Sequence, residues 1–388
     1  MFKILTLNNI RVGGLDRLPR DKYEIASEMS SPDAILLRSF NMSEMEIPTS
    51  LKAVGRAGAG VNNIPVAKLS AMGIPVFNTP GANANAVKEL VVAGMLLSAR
   101  NLGTAFEFTR KLSGTDAEIN EIVEAQKKSF VGIELAGRTL GVVGLGAIGV
   151  RVANAALAMG MRVIGHDPHI TVTNAWALQA EVKNMPSVSE LLAQCDFVTF
   201  HVPLSTETKH LLDARRLGKS RPGITILNFS RAAIVDEQAV SDAILSGKVR
   251  AYVCDFPSNL LSNHERVITL PHLGASTEEA EENCAVMVVD QIKDFLEQGT
   301  IRNTVNFPDM SLPRNGGHRL MVANSNIPHM IERISAAVSK EDLNIVDMLN
   351  RSRGEVACTL VDVERPVPRS VIDEISKIEG VLRARVLS

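Results

Sequence analysis

Two polar side chains in the second half of the chain have the chemistry needed to oxidise a hydroxy acid. Arg231 follows an apolar run, and an arginine can hold a carboxylate through two parallel hydrogen bonds. His272 precedes a Leu-Gly pair, and a histidine titrates near neutral pH, so it can accept a hydroxyl proton as hydride departs. Each residue alone also has a plain structural interpretation, Arg231 as a surface cation and His272 as a helix cap.

A glycine-rich segment after the apolar run 140–143 has the spacing of a dinucleotide-binding turn. The first glycine permits a tight turn, the second lets the backbone approach a pyrophosphate, and the third lets a helix pack on a strand. An alanine-rich helical stretch follows. The pattern predicts a cofactor site at Gly144, Gly146, Ala147, Ile148 and Gly149.

Asp167 stands at the end of the next apolar run, eighteen residues after Gly149. An acidic side chain at this point can accept hydrogen bonds from both hydroxyls of the adenosine ribose and repels a 2′-phosphate. The sequence therefore predicts NAD rather than NADP as the cofactor. The structural alternative for Asp167 is a helix N-cap before Pro168.

The elements that must position these residues alternate regularly over the first 300 residues. Strands are predicted over residues 3–7, 34–37, 53–55, 75–77, 140–143, 161–165, 197–200, 225–228 and 250–254, and a helix over 84–100. Strands that are apolar on both faces and separated by helices indicate parallel sheets covered on two sides. The predicted fold class is α/β, with two Rossmann-like, doubly wound parallel-sheet lobes.

The pattern changes after a Pro- and Gly-containing linker at residues 299–317. Strands are predicted over 319–323, 344–349, 356–362 and 382–387, with helices over 329–338 and 370–378. This β-α-β-β-α-β order is typical of a small ferredoxin-like α+β domain, here residues 318–388.

Composition narrows the class of protein. The chain has 388 residues, 45% of them hydrophobic, and about 150 residues per domain predicts two or three domains. Its 41 basic and 43 acidic residues leave a formal net charge of −2, which argues against binding to nucleic acid or to a membrane surface through phosphate attraction.

Cysteine usage and the N-terminal sequence indicate in which cellular compartment the protein is expected. The four cysteines form no C-x-x-C pair, the N-terminus has no signal-peptide pattern, and no apolar run reaches about 18 residues. We therefore expect a cytoplasmic protein with neither a membrane partner nor a metal site.

Together these segments resemble the D-isomer-specific 2-hydroxyacid dehydrogenases, over essentially the whole chain. The resemblance is carried by 55–63, 78–87, the glycine motif, 201–203, 228–236 and 271–277, and the C-terminal domain resembles an ACT domain. It implies a substrate lobe at 1–98 completed by 275–298, a cofactor lobe at 99–274, and a cleft between them.

The resemblance also assigns roles to individual residues. Arg231 would bind the substrate carboxylate and C2 oxygen, His272 would be the acid/base, and Asp255 would contact the nicotinamide side. The remaining cofactor positions are His201, Pro203 and Gly274, and the remaining substrate positions are Arg38, Arg56, Gly58, Ala59 and Gly60. Arg38 and Arg56 match positions that bind a substrate phosphate, although solvated surface charge is their alternative interpretation.

Two departures from the family pattern lie near the expected active site. The family has a Glu that supports the catalytic His five residues after Asp255, and this chain has Leu260 there. We consider Glu265 as a possible replacement. The usual Gly after the catalytic Arg is Ala232.

Further departures lie in the C-terminal domain. Asn326 and Asn344 match effector-binding positions of regulated relatives, but Asn324 replaces a ligand His and His329 replaces a Gly that permits close approach. An amino-acid effector is therefore a weaker expectation than the fold.

Three functions follow from the resemblance. The first is NAD-dependent oxidation of 3-phospho-D-glycerate to 3-phosphohydroxypyruvate, the entry to serine synthesis, and the charges of Arg38 and Arg56 favour it. The second is oxidation of an unphosphorylated acid such as 2-hydroxyglutarate, glycerate or lactate. The third, motivated by Leu260, is a cofactor-sensing regulatory protein. A homodimer or homotetramer is expected, with pairing through the cofactor lobe.

Overall fold

The computed structural model describes residues 1–262, 264–314 and 316–387. Asn263, Asn315 and Ser388 lie outside the described residues. Asn315 falls in the predicted linker, and Ser388 is the last residue of the predicted C-terminal domain.

The first sheet contains five parallel strands in the order β2-β1-β3-β4-β5. Its central strand is buried on both faces, as the apolar run at 34–37 predicts. β2 was not predicted, because its four residues include a charged one and form no apolar run. The elements are β1 (Phe2–Leu7), α1 (Val12–Leu15), β2 (Tyr23–Ala26), β3 (Ala34–Leu37), β4 (Ala53–Arg56), α2 (Val66–Ala71) and β5 (Val76–Phe77).

The second sheet contains seven parallel strands in the order β12-β11-β10-β9-β6-β7-β8. Chain order reverses between β6 and β9, and ligands of doubly wound sheets bind at such a switch point, beyond the carboxyl ends of the strands. The helices before this sheet are α3 (Ala84–Ala99), α4 (Leu102–Arg110) and α5 (Asp116–Gln126), followed by a 3-10 turn at Lys127–Phe130. The sheet region contains β6 (Thr139–Val143), α6 (Ala147–Ala158), β7 (Arg162–His166), α7 (Val172–Ala177), β8 (Lys183–Asn184), α8 (Val188–Gln194), β9 (Phe197–Phe200), α9 (Ala214–Lys219), β10 (Ile224–Asn228), a 3-10 turn (Ala232–Ile234), α10 (Glu237–Leu245), β11 (Val249–Cys254) and β12 (Val267–Thr269).

The chain divides into two compact units. One is Met1–Ala82 together with the chain from Glu281 onward, and the other is Asn83–Ala280. Helix α3 belongs to the second unit, because Val87, Val91 and Met95 share a core with Val142 of β6 and Val152 of α6. The predicted boundary at 98/99 therefore falls at the end of this helix, whereas the compact units divide just before it.

The last part of the chain begins with a long helix, α11 (Glu278–Gln298). It is followed by β13 (His318–Ser325), α12 (Met330–Ser339), β14 (Ile345–Arg353), β15 (Val356–Val363), α13 (Arg369–Ile375) and β16 (Val381–Leu387). These strands form an antiparallel sheet in the order β14-β15-β13-β16. The predicted β-α-β-β-α-β order is confirmed, and this sheet is compatible with an ACT domain. No helix among the described residues has the length and hydropathy needed to cross a membrane.

The C-terminal sheet is covered on both faces within the first unit. One face packs against its own two helices, through Leu320, Val322 and Ile334. The other face shares a core with helix α11, through Leu360 and Phe295. The C-terminal domain therefore shares a hydrophobic core with the first sheet and α11.

A buried ion pair joins two strands of the C-terminal sheet. Both carboxylate oxygens of Asp362 accept hydrogen bonds from Arg319, each at 2.6 Å. Arg319 also donates to the carbonyl oxygens of Gln298, Leu312 and Pro313. These three residues belong to the end of α11 and to the segment that connects it to β13. This arginine therefore holds the segment between α11 and β13 against the C-terminal sheet, and its buried charge is paired with Asp362.

Candidate active site

The glycine motif forms a tight turn between β6 and α6. Gly144 has φ +89°, and a Cβ there would lie 2.6 Å from the carbonyl oxygen of His201. A Cβ on Gly149 would lie 1.9 Å from the carbonyl oxygen of Gly144. Gly146 faces open space, with no atom within 4 Å of an added Cβ. The first and third glycines are required by packing, and the second leaves room at the start of α6, where Ala147 and Ile148 follow.

Asp167 holds this turn to the end of β7. One carboxylate oxygen accepts from the amide of Leu145 at 2.8 Å, and the other accepts from the amide of His169 at 2.8 Å. A carboxylate oxygen can accept more than one hydrogen bond, so this arrangement leaves acceptor capacity for ribose hydroxyls.

His201 and Pro203 follow β9, on the other side of the switch point. Nε2 of His201 lies 3.0 Å from the hydroxyl of Thr199, and Nδ1 is buried with no hydrogen-bond partner. Burial lowers the pKa of His201 to about 3, so the ring is neutral at physiological pH. The Pro203 carbonyl accepts from the Thr208 side chain and thereby closes the loop.

Asp255 follows β11 and is 1% exposed. Its Oδ2 accepts from the amide of Gly274 at 3.1 Å, and its Oδ1 is buried without a partner. Burial raises the pKa of the Asp255 carboxyl, and the Gly274 amide and the positive charges of His272 and Arg231 oppose that rise. A buried acceptor without a protein partner can accept a hydrogen bond from a ligand N–H or from an ordered water.

Arg231 is positioned by Asn228, the last residue of β10. The Asn228 side chain is fully buried, donates to the Arg231 carbonyl at 3.0 Å and accepts from the Ser230 hydroxyl at 3.1 Å. The Arg231 guanidinium donates to the Ser230 carbonyl at 2.7 Å. These bonds fix the loop that carries the arginine.

His272 lies beyond β12 in a left-handed backbone conformation, with φ +47°. Its amide donates to the carbonyl oxygens of Asp255 and Leu270, each at 3.1 Å. Its ring is solvent-exposed and meets Phe256 edge-on, with the ring centroids 5.2 Å apart. The backbone is therefore held firmly while the imidazole stays accessible.

Arg231, Asp255 and His272 thus follow three neighbouring strands, β10, β11 and β12, at the carboxyl edge of the cofactor sheet. The guanidinium of Arg231 and the imidazole of His272 both act electrostatically on the buried carboxylate of Asp255 and favour its ionised form. This arrangement can hold a carboxylate or a carbonyl oxygen through the guanidinium and move a proton through the imidazole.

The family Glu has no replacement at the expected positions. Leu260 is 47% exposed on the loop after β11. Glu265 lines a pocket with Gly223, Gly247 and Arg250, which lie at the amino ends of β10 and β11. That edge is opposite the one that carries His272, so Glu265 does not supply the missing carboxylate.

The predicted phosphate-binding arginines lie together in the first unit, after β3 and at the end of β4. Nε of Arg56 donates to the Arg38 carbonyl and to Oδ1 of Asn63, each at 3.1 Å. Asn63 in turn donates to the carbonyl oxygens of Arg38 and Phe40. The guanidinium of Arg38 is paired with Glu281 at 2.5 Å.

The small-residue loop 57–61 presents backbone groups. The Gly58 carbonyl accepts from the amide of Thr79, and the Ala59 carbonyl accepts from the Asn78 side chain at 2.6 Å. Within the described residues, the amides of Ala59 and Gly60 donate to no protein acceptor. Two exposed or half-exposed N–H groups are therefore available to an anion.

The predicted effector residues are not brought together within one chain. Asn324 is the second-last residue of β13, and its Oδ1 is buried without a partner; Asn326 donates to the Gly354 carbonyl at the same end of the sheet. Asn344 precedes β14, at the opposite end, because β13 and β14 both run antiparallel to β15. His329 has φ +67° and an exposed ring 3.1 Å from Glu332, so its side chain turns to solvent.

Comparison with known proteins identifies the family. A family model described as D-isomer specific 2-hydroxyacid dehydrogenase, NAD binding domain, matches residues 102–274. A D-3-phosphoglycerate dehydrogenase of Haemophilus influenzae is 32% identical over 356 residues, which cover 88% of this chain and 83% of that protein. The chain belongs to the D-isomer specific 2-hydroxyacid dehydrogenase family. The family predicted from the motifs is confirmed, and the second unit is its NAD-binding domain.

Other members of the family differ in length. A D-3-phosphoglycerate dehydrogenase of Methanocaldococcus jannaschii is 35% identical over 304 residues, 76% of this chain and 56% of that protein. One from Synechocystis is 34% identical over 330 residues, 80% of this chain and 57% of that protein. The chain thus spans little more than half the length of these two relatives. The crystal structure of NAD+-bound 3-phosphoglycerate dehydrogenase from Entamoeba histolytica superimposes with a TM-score of 0.62 at 26% identity, covering 79% of this chain and 98% of that one.

Sequence reasoning did not single out four residues that shape these sites. Asn228 and Asn63 organise the loops that carry Arg231 and Arg56. Arg11 and Glu281 pair with each other beside Arg38, and they are 270 positions apart in the chain. Asn228 stands in the quoted segment 228–236 and was recognisable from its place at a strand end, whereas a pair so distant in sequence leaves no local signal.

Proposed function

We propose that the protein oxidises 3-phospho-D-glycerate to 3-phosphohydroxypyruvate with NAD, the first step of L-serine biosynthesis. The observation that carries the proposal is the convergence of Arg231, Asp255 and His272 at the carboxyl edge of the NAD-binding sheet. The names of the relatives from Haemophilus influenzae and Methanocaldococcus jannaschii support the choice of substrate.

The roles of the two polar side chains follow from their chemistry. Arg231 binds the substrate carboxylate and stabilises negative charge on the C2 oxygen. His272 accepts the proton of the C2 hydroxyl during oxidation and returns it during reduction. Its exposed ring and fixed backbone suit a group that exchanges a proton with both substrate and solvent.

The residues around the switch point fit a bound NAD. Gly146 leaves space for the pyrophosphate at the start of α6, and Asp167 has acceptor capacity for the ribose. The unpartnered Oδ1 of Asp255 suits the carboxamide N–H of a nicotinamide, and His201 and Pro203 border the same edge. A bound NAD would supply the hydride acceptor that the oxidation requires.

The first unit carries the other predicted substrate-binding residues. The amides of Ala59 and Gly60 are available to the substrate carboxylate. Arg38 and Arg56 supply positive charge for its phosphate. The unphosphorylated 2-hydroxy acids lack the group that would engage these two cations, which is why the phosphorylated substrate is favoured.

A pair of substitutions in the second unit tests the catalytic assignment. We expect His272→Asn to lower kcat by about 10²–10⁴-fold, since general acid–base catalysis contributes this much, while Asn tolerates the left-handed backbone. Arg231→Gln should lower kcat/KM and raise KM. Fluorescence titration with NADH should give unchanged affinity in both variants. An unchanged kcat in His272→Asn would refute the assignment.

We further propose a cytoplasmic homodimer or homotetramer. A reducing compartment suits four cysteines that are all buried and free. An amino-acid effector, if one binds, would have to use Asn326 of one chain with Asn344 of another, because the two lie at opposite ends of a single C-terminal sheet. Calorimetry with L-serine tests this hypothesis.

A further inference from the structure

Three arginines converge on the first turns of helix α11. Glu281, in its first turn, accepts from Arg11 through Nε at 2.8 Å and Nη2 at 2.7 Å. The other oxygen of the same carboxylate lies 2.5 Å from Arg38. One carboxylate therefore bridges two guanidinium groups that come from different loops of the first sheet.

Arg56 belongs to the same cluster. Its Nε is bonded to the Arg38 carbonyl, and the positive charges of Arg38 and Arg56 both oppose the rise that burial causes in the pKa of the Cys284 thiol. Since Cys284 lies one turn after Glu281, both guanidiniums stand near the same stretch of α11. We call Arg11, Arg38, Arg56 and Glu281 the arginine cluster.

The charges of the arginine cluster do not cancel. The single negative charge of Glu281 is shared by the two guanidinium cations of Arg11 and Arg38, so it does not by itself offset both, and a phosphate monoester carries about −1.5 to −2 at neutral pH. The side chains of Arg11 and Arg38 are 44% and 34% exposed and that of Glu281 is 24% exposed, so a solute can reach them.

We propose that Arg11 is a third guanidinium of the substrate-phosphate site, beside Arg38 and Arg56. In the free protein Glu281 is the counter-ion of Arg11 and Arg38, and the substrate phosphate competes with it for these two arginines. The proposal rests on the proposed function and adds a specificity-determining residue to it. It explains how an arginine outside every family motif takes part in selecting a phosphorylated substrate. Because a carboxylate already occupies the site, an uncharged substrate end gains nothing by entering it.

The test compares two substrates that differ only in the phosphate, phosphohydroxypyruvate and hydroxypyruvate. We expect Arg11→Ala to raise KM for phosphohydroxypyruvate about tenfold or more, the effect of losing one charge-assisted hydrogen bond, with kcat and the KM for hydroxypyruvate unchanged. Glu281→Gln should lower KM for phosphohydroxypyruvate, because the competing charge is gone. The matched control is Arg17→Ala, which breaks a similar pair with Asp290 on α11, outside the cluster, and should change neither KM.

Binding of inorganic phosphate, measured by calorimetry on the full chain, provides a readout that needs no turnover. Weaker phosphate binding in Arg11→Ala and tighter phosphate binding in Glu281→Gln would support the inference about the arginine cluster. If the protein shows these changes but does not reduce phosphohydroxypyruvate, only the proposed function fails. If the wild type reduces phosphohydroxypyruvate and Arg11→Ala keeps both its KM and its phosphate affinity, this inference is overturned and the function stands. A raised KM in Glu281→Gln would show that Glu281 positions the arginines and would overturn its role as a competitor.

Discussion

At the scale of single residues, the two acidic side chains at the predicted cofactor site, Asp167 and Asp255, have opposite environments. Asp167 is half-exposed and accepts from two amides, whereas Asp255 is buried with one oxygen unpartnered. The two amide donors stabilise the ionised form of Asp167 in the free protein. The ionised form of Asp255 is disfavoured until a ligand donates a hydrogen bond to its free oxygen.

For Asp167 we predict separate effects of charge and hydrogen bonding. Asp167→Asn removes the charge that repels a 2′-phosphate but keeps an acceptor for the amide of Leu145, so the preference for NAD over NADP should weaken with little loss of stability. Asp167→Ala should weaken the preference and also lower the melting temperature, because the glycine turn loses its anchor. The measurement is kcat/KM with each cofactor beside thermal unfolding. A wild type that uses NADP as well as NAD would contradict the role of Asp167.

For Asp255 we predict a gain in stability at the expense of activity. Because burial raises its pKa, the ionised form is disfavoured in the folded protein, and the penalty applies above the raised pKa. Asp255→Asn should therefore increase the free energy of unfolding at pH 7, because it removes the buried negative charge and keeps an oxygen that accepts from the amide of Gly274. The gain should disappear below about pH 4, the ordinary pKa range of Asp, where the carboxyl is protonated in both states. Thermal unfolding at the two pH values measures it, and an equal gain at both would contradict the explanation.

At the scale of elements, most strands were predictable from their apolar runs, but β2, β8 and β12 were not. The run 34–37 is apolar throughout and forms β3, but Tyr23–Ala26 pairs with β1 although nothing in its local pattern requires it. Glu265 and Asn344 show the same limit at the sites. Glu265 is close in sequence to His272, and Asn344 is close in sequence to Asn326. The two members of each pair nevertheless lie at opposite ends of a sheet, because strand direction rather than sequence distance sets their positions.

The site residues were predictable where a motif fixes them. The glycine turn and the strand ends that carry Arg231 and Asp255 follow from local sequence and parallel-sheet geometry. The ion pairs of Glu281 were not predictable, since they depend on a helix returning to the first sheet after the whole NAD-binding domain.

The loop after β11 has Leu260 at the position where the resemblance implies a Glu beside His272, which leads to a prediction about pH dependence. A carboxylate beside His272 would favour its imidazolium form, which ketone reduction requires. Leu260→Glu should therefore move the falling limb of the reduction rate to higher pH, and Leu260→Gln, without a charge, should not. The rate of phosphohydroxypyruvate reduction against pH measures this. A shift of equal size in Leu260→Gln would show that charge is not the cause.

At the scale of the whole molecule, the C-terminal domain is held to the first unit by arginines that are buried or half-buried. Arg383 donates to the carbonyl oxygen of Thr49 at 2.8 Å, and the guanidinium of Arg385 lies 4.3 Å from the ring centre of Phe295 on α11. Burial lowers the pKa of Arg385 to about 10, so it remains charged at physiological pH. The domain is therefore part of the folded first unit rather than a tethered appendage.

The buried pair of Arg319 and Asp362 should dominate the stability of this attachment. Asp362→Ala leaves a buried guanidinium without its counter-charge, and we expect a loss of about 3–5 kcal/mol in the free energy of unfolding. The control is Glu374→Ala, which breaks an exposed pair in the same domain and should leave the unfolding transition in place. Chemical denaturation of the full chain compares them, and equal effects would contradict the importance of burial.

Substrate choice tests the central claim most directly. The measurement is NADH consumption with phosphohydroxypyruvate, hydroxypyruvate, 2-oxoglutarate and pyruvate under identical conditions. Our account predicts the highest kcat/KM for phosphohydroxypyruvate, with hydroxypyruvate lower by about 10–100-fold, since the phosphate adds charge-assisted hydrogen bonds to Arg38 and Arg56. Equal or higher kcat/KM for any of the three unphosphorylated acids would contradict it.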